Sequence, residues 1–456
     1  MATGMTSAGR TGVVPEEAIN IEVECARVLG TLRPLHSVNL GPPLSGTRVA
    51  DITADMRALH IPIVRYHDAP LENRGLQLVD VSRVFPLFHL DPAVPENYDF
   101  RETDDYIAKT LDIGAKVSYR LGESIEWSTK LYRVHPPKDY EQWAKICIGI
   151  IRHYNEGWAN GFRHNIEYWC IWEEPENVPQ LWTGTWDDYI RLYVTAAKAI
   201  KARFPNVKVG GPAMGMGSAR RELVERLLAA CRQHAAPLDF FAVTRYATHP
   251  QDLIALPAVL RQLLDEHGFP ATEVHISEWN YFPGDWSKIG ELEHCLWLER
   301  TIQGADGAAF ICAVLSGWQD TPLDMGFFYV GSALSHWGLF DPVCRKPRTN
   351  YYGMLAFARL AEYAQRVAAR CAGRDTWVLA GRKAHGPMAL LIACWQGPAA
   401  RIVVQLKDPT LAAARCRLQL VDAVHNLAPV PAASAADNAL VITKPAGSAV
   451  FLLEWA

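Results

Sequence analysis

The 456-residue sequence has no Cys-x-x-Cys pair, no basic run, and no stretch of the roughly 18 uncharged apolar residues that a membrane-spanning helix needs. The ten cysteines are scattered, and Cys147, Cys170, Cys312 and Cys394 sit inside apolar runs, which predicts buried free thiols in a reducing compartment. Lys+Arg (45) and Asp+Glu (49) nearly balance, so no electrostatic footprint for nucleic acid or an anionic membrane is present, and a neutral substrate is expected. No Gly-rich phosphate loop follows a strand, Ser277 lacks the flanking glycines of a nucleophile elbow, and His153, His164, His294 and Cys295 lack zinc-site spacing. No cofactor and no metal are therefore expected. Met1 to Gly12 is small and polar, without the apolar centre of a secretion signal, which predicts a disordered N-terminus on a soluble, cytoplasmic protein. Composition leaves the oligomeric state open, a homo-oligomer included.

What the chain does have is length, aromatic residues and a regular alternation of patterns. It exceeds one ordinary domain, and its 15 Trp and 16 Tyr suit sugar rings as well as a core. From His36 onward, short apolar runs alternate with amphipathic helical segments. The expected strands begin at His36, Ile63, Ala115, Glu167, Val207, Asp239, Glu273 and Met325, and a final helix spans Tyr351 to Gln365. Eight such units predict an α/β fold, a (β/α)₈ TIM barrel, over residues 36–365. Short alternating strands separated by turn residues follow, predicting an appended antiparallel β-sandwich over 366–456. The alternating segment within 13–35 is expected to join that sheet, 1–12 to be disordered, and the Ala-rich patch at 432–436 to be a surface loop.

Two of the expected barrel strands end in carboxylates. The run Glu167-Tyr-Trp-Cys-Ile-Trp-Glu-Glu-Pro-Glu-Asn177 is apolar and aromatic until Glu173 and Glu174, and Pro175 cannot continue a ladder. Glu273-Val-His-Ile-Ser-Glu-Trp-Asn280 likewise terminates near Glu278. A carboxylate is by default a solvated surface group. At the C-terminal ends of parallel strands four and seven, however, both side chains belong to the rim where barrel enzymes carry their chemistry. Glycoside hydrolysis needs such a pair, one to protonate the leaving oxygen and one to attack or to activate water.

Several motifs together resemble glycoside hydrolase family 39: Ile171-Trp-Glu-Glu-Pro-Glu-Asn177, Leu181-Trp-Thr-Gly-Thr185, Lys208-Val-Gly-Gly-Pro-Ala213, Ser277-Glu-Trp-Asn280 and Val64-Arg-Tyr-His-Asp68. The resemblance covers about 36–365 and implies a retaining exo-acting hydrolase of β-xyloside-like substrates. It makes Glu174 the acid/base and Glu278 the nucleophile. It further implies that His67 and Glu173 bind substrate, that Tyr246 holds Glu278, that Trp318 stacks under the sugar, and that Arg65 braces the carboxylates. Two positions depart from the family pattern. Glu173 stands where an Asn is usual, and an ionised Glu can only accept hydrogen bonds; Thr244 stands where many relatives carry a His, for which nearby His249 is a candidate substitute. The altered site leaves open a carbohydrate-binding pseudoenzyme, and the same carboxylates would serve a transglycosylase.

Overall fold

The computed structural model describes residues 18–44, 50–73, 75–215, 220–384, 386–407, 416–431, 433–436 and 439–455. The segment 1–12, expected to be disordered, lies outside the described residues. Eight strands close into a parallel barrel in sequence order: β2 (Ser37–Asn39), β3 (Ile63–Tyr66), β4 (Lys116–Leu121), β5 (Tyr168–Ile171), β6 (Lys208–Gly215), β7 (Phe240–Ala247), β8 (Glu273–Tyr281) and β9 (Met325–Phe328). Strand β1 (Ala18–Thr31) precedes them and belongs to a second sheet. The barrel strands are almost continuously buried because helices cover their outer faces, which is why they read as unbroken apolar runs.

Local signals place the covering helices. Thr185 and Asp188 form a reciprocal capping box at the start of Trp186–Arg203, and Tyr189, Leu192, Tyr193, Ala196 and Ile200 make its buried stripe. Between β8 and β9 lie two helices in succession, Leu292–Ile302 and Ala305–Gly317. The chain turns so tightly between them that a side chain at Gly304 would lie 2.3 Å from the Arg300 carbonyl oxygen. The second of these helices is buried from Gly307 to Ser316, since it is wedged between the barrel and the second sheet.

The second sheet has ten strands in the order β15-β14-β18-β12-β11-β10-β1-β13-β17-β16. They are β10 (Gln365–Cys371), β11 (Thr376–Arg382), β12 (Met388–Cys394), β13 (Ala400–Leu406), β14 (Cys416–Val421), β15 (Asn426–Pro429), β16 (Ala433–Ala436), β17 (Ala439–Lys444) and β18 (Ala449–Trp455). It curls around its own core of Val23, Val367, Leu390, Ile392, Val404, Phe451 and neighbours. The pairing is antiparallel except where β1 runs parallel to β13. Two expectations change here. The final barrel helix is Thr349–Ala361, and Gln365 starts strand β10, whose Ala- and Arg-rich composition is overridden by pairing with β1 and β11. The Ala-rich patch is strand β16, paired with β17, instead of a loop.

Candidate active site

A cavity of about 820 Å³ opens at the C-terminal ends of the barrel strands, and Glu174 and Glu278 both line it. Each is aimed by a local irregularity. In β8, Ser277 is an extra residue relative to β7, where Val243 pairs with Ile276 and Thr244 with Glu278, so the alternation of side chains resets just before Glu278. The Ser277 carbonyl released by this bulge accepts hydrogen bonds from Asn39 Nδ2 (2.8 Å) and Arg65 Nη1 (3.3 Å). After β5 the chain passes through left-handed conformations at Trp172 (φ +67°) and Glu174 (φ +35°). Such backbone persists only where its surroundings hold it. Here the indoles hold it: Trp172 Nε1 donates to the Leu181 carbonyl (2.8 Å) and Trp182 Nε1 to that of Thr185 (3.0 Å). Gly122 lets Trp172 approach, because a Cβ there would lie 3.1 Å from the Trp172 Cα.

Around Glu278 the structure gathers positive charge and donors. Tyr246 Oη donates to Glu278 Oε2 at 2.8 Å, His67 Nε2 lies 3.2 Å from Oε1, and Arg65 Nη1 lies 3.6 Å from Oε1. Arg65, 2% exposed at its side chain, also pairs with the fully buried Glu173 and donates to Asn39 Oδ1 (2.9 Å). Burial opposes a charge on His67, but Asp68, Glu173 and Glu278 outweigh it and push the imidazole up to about 9. Asp68 in turn is held by Ile125 N (3.1 Å) and Tyr329 Oη (3.4 Å). Glu174 accepts hydrogen bonds from neutral groups, Asn177 Nδ2 at 3.3 Å and Thr244. Burial raises its pKa first, the charge of Glu173 raises it further, and His67 pulls it down.

Burial also raises Glu278, to about 8, against the pull of His67, and the titrations of Glu174 and Glu278 are linked. The arrangement offers two carboxyls facing a shared space, the pair of groups that acetal chemistry requires. His67, Glu173 and Glu278 also present ligand atoms that all lie within 4.8 Å of one another, a set a cation could use. The Arg65 guanidinium already neutralises two of the three.

Of the residues singled out from sequence, Glu174, Glu278, His67 and Tyr246 line the cavity, with Arg65 and Glu173 buried behind them. Trp318 does not reach it. It is fully buried, with Nε1 donating to the Leu253 carbonyl (2.8 Å) and its ring edge-on to Trp279 at 4.9 Å. Only the absent side chain of Gly326 leaves room for it. Glu173 is not on the cavity wall either, since it faces inward to Arg65. His249 does not replace the expected His: it lies 3.1 Å from Asp375 and edge-on to Trp395, in the contact between barrel and sheet. The aromatic wall comes instead from Trp286, Trp337 and Tyr329, with Tyr246 and Trp337 rings 5.0 Å apart. These tryptophans lie in loops after β8 and β9, where no periodicity marks them. Glu176, inside the motif Ile171-Trp-Glu-Glu-Pro-Glu-Asn177, also lines the cavity, and nothing in the sequence pattern marks it for a role.

The model of glycosyl hydrolases family 39 matches residues 70–292, a stretch that carries Glu174, Glu176 and Glu278. Two curated β-xylosidases are similar to this chain. That of Geobacillus stearothermophilus is 29% identical over 168 residues, and that of Caldicellulosiruptor saccharolyticus is 29% identical over 162. The chain spans 32% of the length of each of these relatives. Among solved structures, a glucosidase from Croceicoccus marinus superposes with a TM-score of 0.78 at 21% identity, covering 96% of this chain and 99% of that one. A family 39 β-xylosidase from Caulobacter crescentus gives 0.68 at 17% identity, over 96% and 99% of the two chains. At these identities the structural likeness concerns the fold. No helix among the described residues is long and apolar enough to cross a membrane, and none of the ten cysteines forms a disulfide.

Proposed function

We propose that this protein is a retaining glycoside hydrolase that releases a terminal sugar through a covalent glycosyl-enzyme intermediate. Glu278 attacks the anomeric carbon while Glu174 protonates the leaving oxygen; Glu174 then takes a proton from the water that frees the sugar. The observation that carries this reading is the unequal contacts of Glu278 and Glu174: His67 and Arg65 lie beside the first, whereas the second accepts hydrogen bonds from the neutral Asn177 and Thr244. His67 contacts the sugar from the wall, Tyr246 orients the nucleophile, and Arg65 with Glu173 braces it from behind. The β-xylosidase relatives support a terminal β-xylose as the sugar. Residues 36–365 would do the chemistry, with the second sheet as a brace, since every residue lining the cavity lies between His67 and Trp337. Ten cysteines without a disulfide, most of them buried, support a reducing compartment such as the cytoplasm.

A panel of aryl β-xylosides, glucosides, galactosides and arabinosides tests the proposal, with NMR of the first-formed sugar to read its anomer. Phenol release with retained configuration, abolished in Glu278→Ala, is the expected result. An inverted first product overturns the retaining mechanism. Saturable sugar binding without phenol release would instead favour the carbohydrate-binding reading, which the uncompensated Glu173 Oε1 motivates. Transfer to added sugar acceptors in preference to water would identify a transglycosylase.

A further inference from the structure

Glu176 is a third glutamate lining the cavity, and the proposed cycle does not use it. Its side chain is only 3% exposed, yet it lines the cavity wall. Gly215 N donates to its Oε1 at 2.7 Å, whereas its buried Oε2 has no hydrogen-bond partner. Arg220 tethers the same residue, with Nη1 3.3 Å from the Glu176 carbonyl oxygen and 4.0 Å from Oε1. A buried carboxyl oxygen left without a partner is costly, and native sites commonly leave one only where a ligand meets it.

Position narrows what that ligand is. A Cβ on Gly215 would sit 3.5 Å from Glu176 Oε1 and 4.0 Å from Glu174 Oε1, so the two carboxyls converge over a residue with no side chain. The leaving oxygen must lie against Glu174 to receive its proton. The group attached to that oxygen then passes over Gly215 and alongside Glu176, on the side away from His67 and Arg65. Burial, then the charge of Glu174, raises the Glu176 pKa, so it can donate as well as accept near neutrality. An alkyl or aryl leaving group would cover Oε2 and leave it unmet; a hydroxyl would satisfy it.

We propose that Glu176 is a specificity-determining residue that hydrogen-bonds a hydroxyl of the leaving group, so that the preferred substrate is a disaccharide or longer oligosaccharide in place of a simple alkyl or aryl glycoside. This rests on the hydrolase reading above and adds the chemical class of its leaving group. The test compares kcat/KM for a disaccharide and for the cyclohexyl glycoside of the same terminal sugar, in the full chain and in Glu176→Gln and Glu176→Ala. Both leaving groups are alkanols that depend on Glu174 alike, and only one carries further hydroxyls. The expected result is a fall of about tenfold or more in the disaccharide-to-cyclohexyl ratio in Glu176→Ala, with a smaller fall in Glu176→Gln. A ratio that stays constant while both rates fall overturns the proposal, because Glu176 would then act only through the proton on Glu174. If the unaltered chain hydrolyses no glycoside, the hydrolase reading fails separately. Calorimetric titration with the disaccharide and its terminal monosaccharide then decides the role of Glu176. A roughly tenfold weakening confined to the disaccharide supports it, and equal affinities in Glu176→Ala and the unaltered chain overturn it. The near-isosteric Glu176→Gln keeps either arm readable should the alanine variant fold poorly.

Discussion

Glu278 has Tyr246 Oη at 2.8 Å, His67 Nε2 at 3.2 Å and Arg65 Nη1 at 3.6 Å, whereas Glu174 meets only neutral donors, Asn177 at 3.3 Å and Thr244. Both side chains are glutamates lining one cavity at barrel strand ends. Burial raises both, and the proposed division of acid and nucleophile roles rests on the cations placed beside Glu278.

The strongest way to break this contrast is to remove the carboxylate on the cationic side. Glu278→Ala should lower kcat on aryl glycosides by about four orders of magnitude or more. A steady-state rate within tenfold of the unaltered chain would refute its role as nucleophile. Glu174→Gln should cost about 10²–10⁴ in kcat for glycosides with alkanol leaving groups, and far less for activated phenols, which depart without help. Equal losses for the two leaving groups would remove Glu174 from proton transfer.

Arg65→Met leaves Glu173 buried without its partner and should destabilise the fold by about 3–5 kcal/mol, read by urea unfolding. Adding Glu173→Gln should recover much of that loss, and a double variant no more stable than Arg65→Met would show that the pair is not the source. The smallest effect concerns pH. His67 has a folded pKa raised to about 9. The folded state therefore holds this proton more tightly than the unfolded chain, and the stability so conferred is complete below the ordinary histidine value near 6.5. It is lost as pH rises through about 9. Unfolding midpoints of His67→Gln should accordingly decline less over that interval than those of the unaltered chain, and parallel declines would mean that His67 is not charged in the fold.

Much of the barrel was legible because its strands are doubly covered. Runs such as Tyr168–Ile171 and Phe240–Val243 are apolar throughout, and that signature is local. Elements whose form depends on distant partners read poorly. Gln365 reads as the end of a helix until β1 and β11 pair with Gln365–Cys371, and the break at Gly304 follows from chain crowding that no periodicity reports. Trp318 shows the same limit in the site. An aromatic residue beside a barrel strand is compatible with a sugar platform, but the space left by Gly326 draws it into the core while Trp286 and Trp337 form the wall from loops.

By itself the sequence determined the strand-helix alternation, the closure of eight strands, and the positions of Glu174 and Glu278 at two strand ends, because apolar periodicity and chain order are properties of neighbours along the chain. Only the tertiary structure decided which carboxyl meets Arg65 and His67, that Glu173 turns inward to Arg65, and that Glu176 joins Glu174 over Gly215. Those outcomes depend on distances and burial between residues far apart in sequence, and Coulombic and desolvation energies act through space.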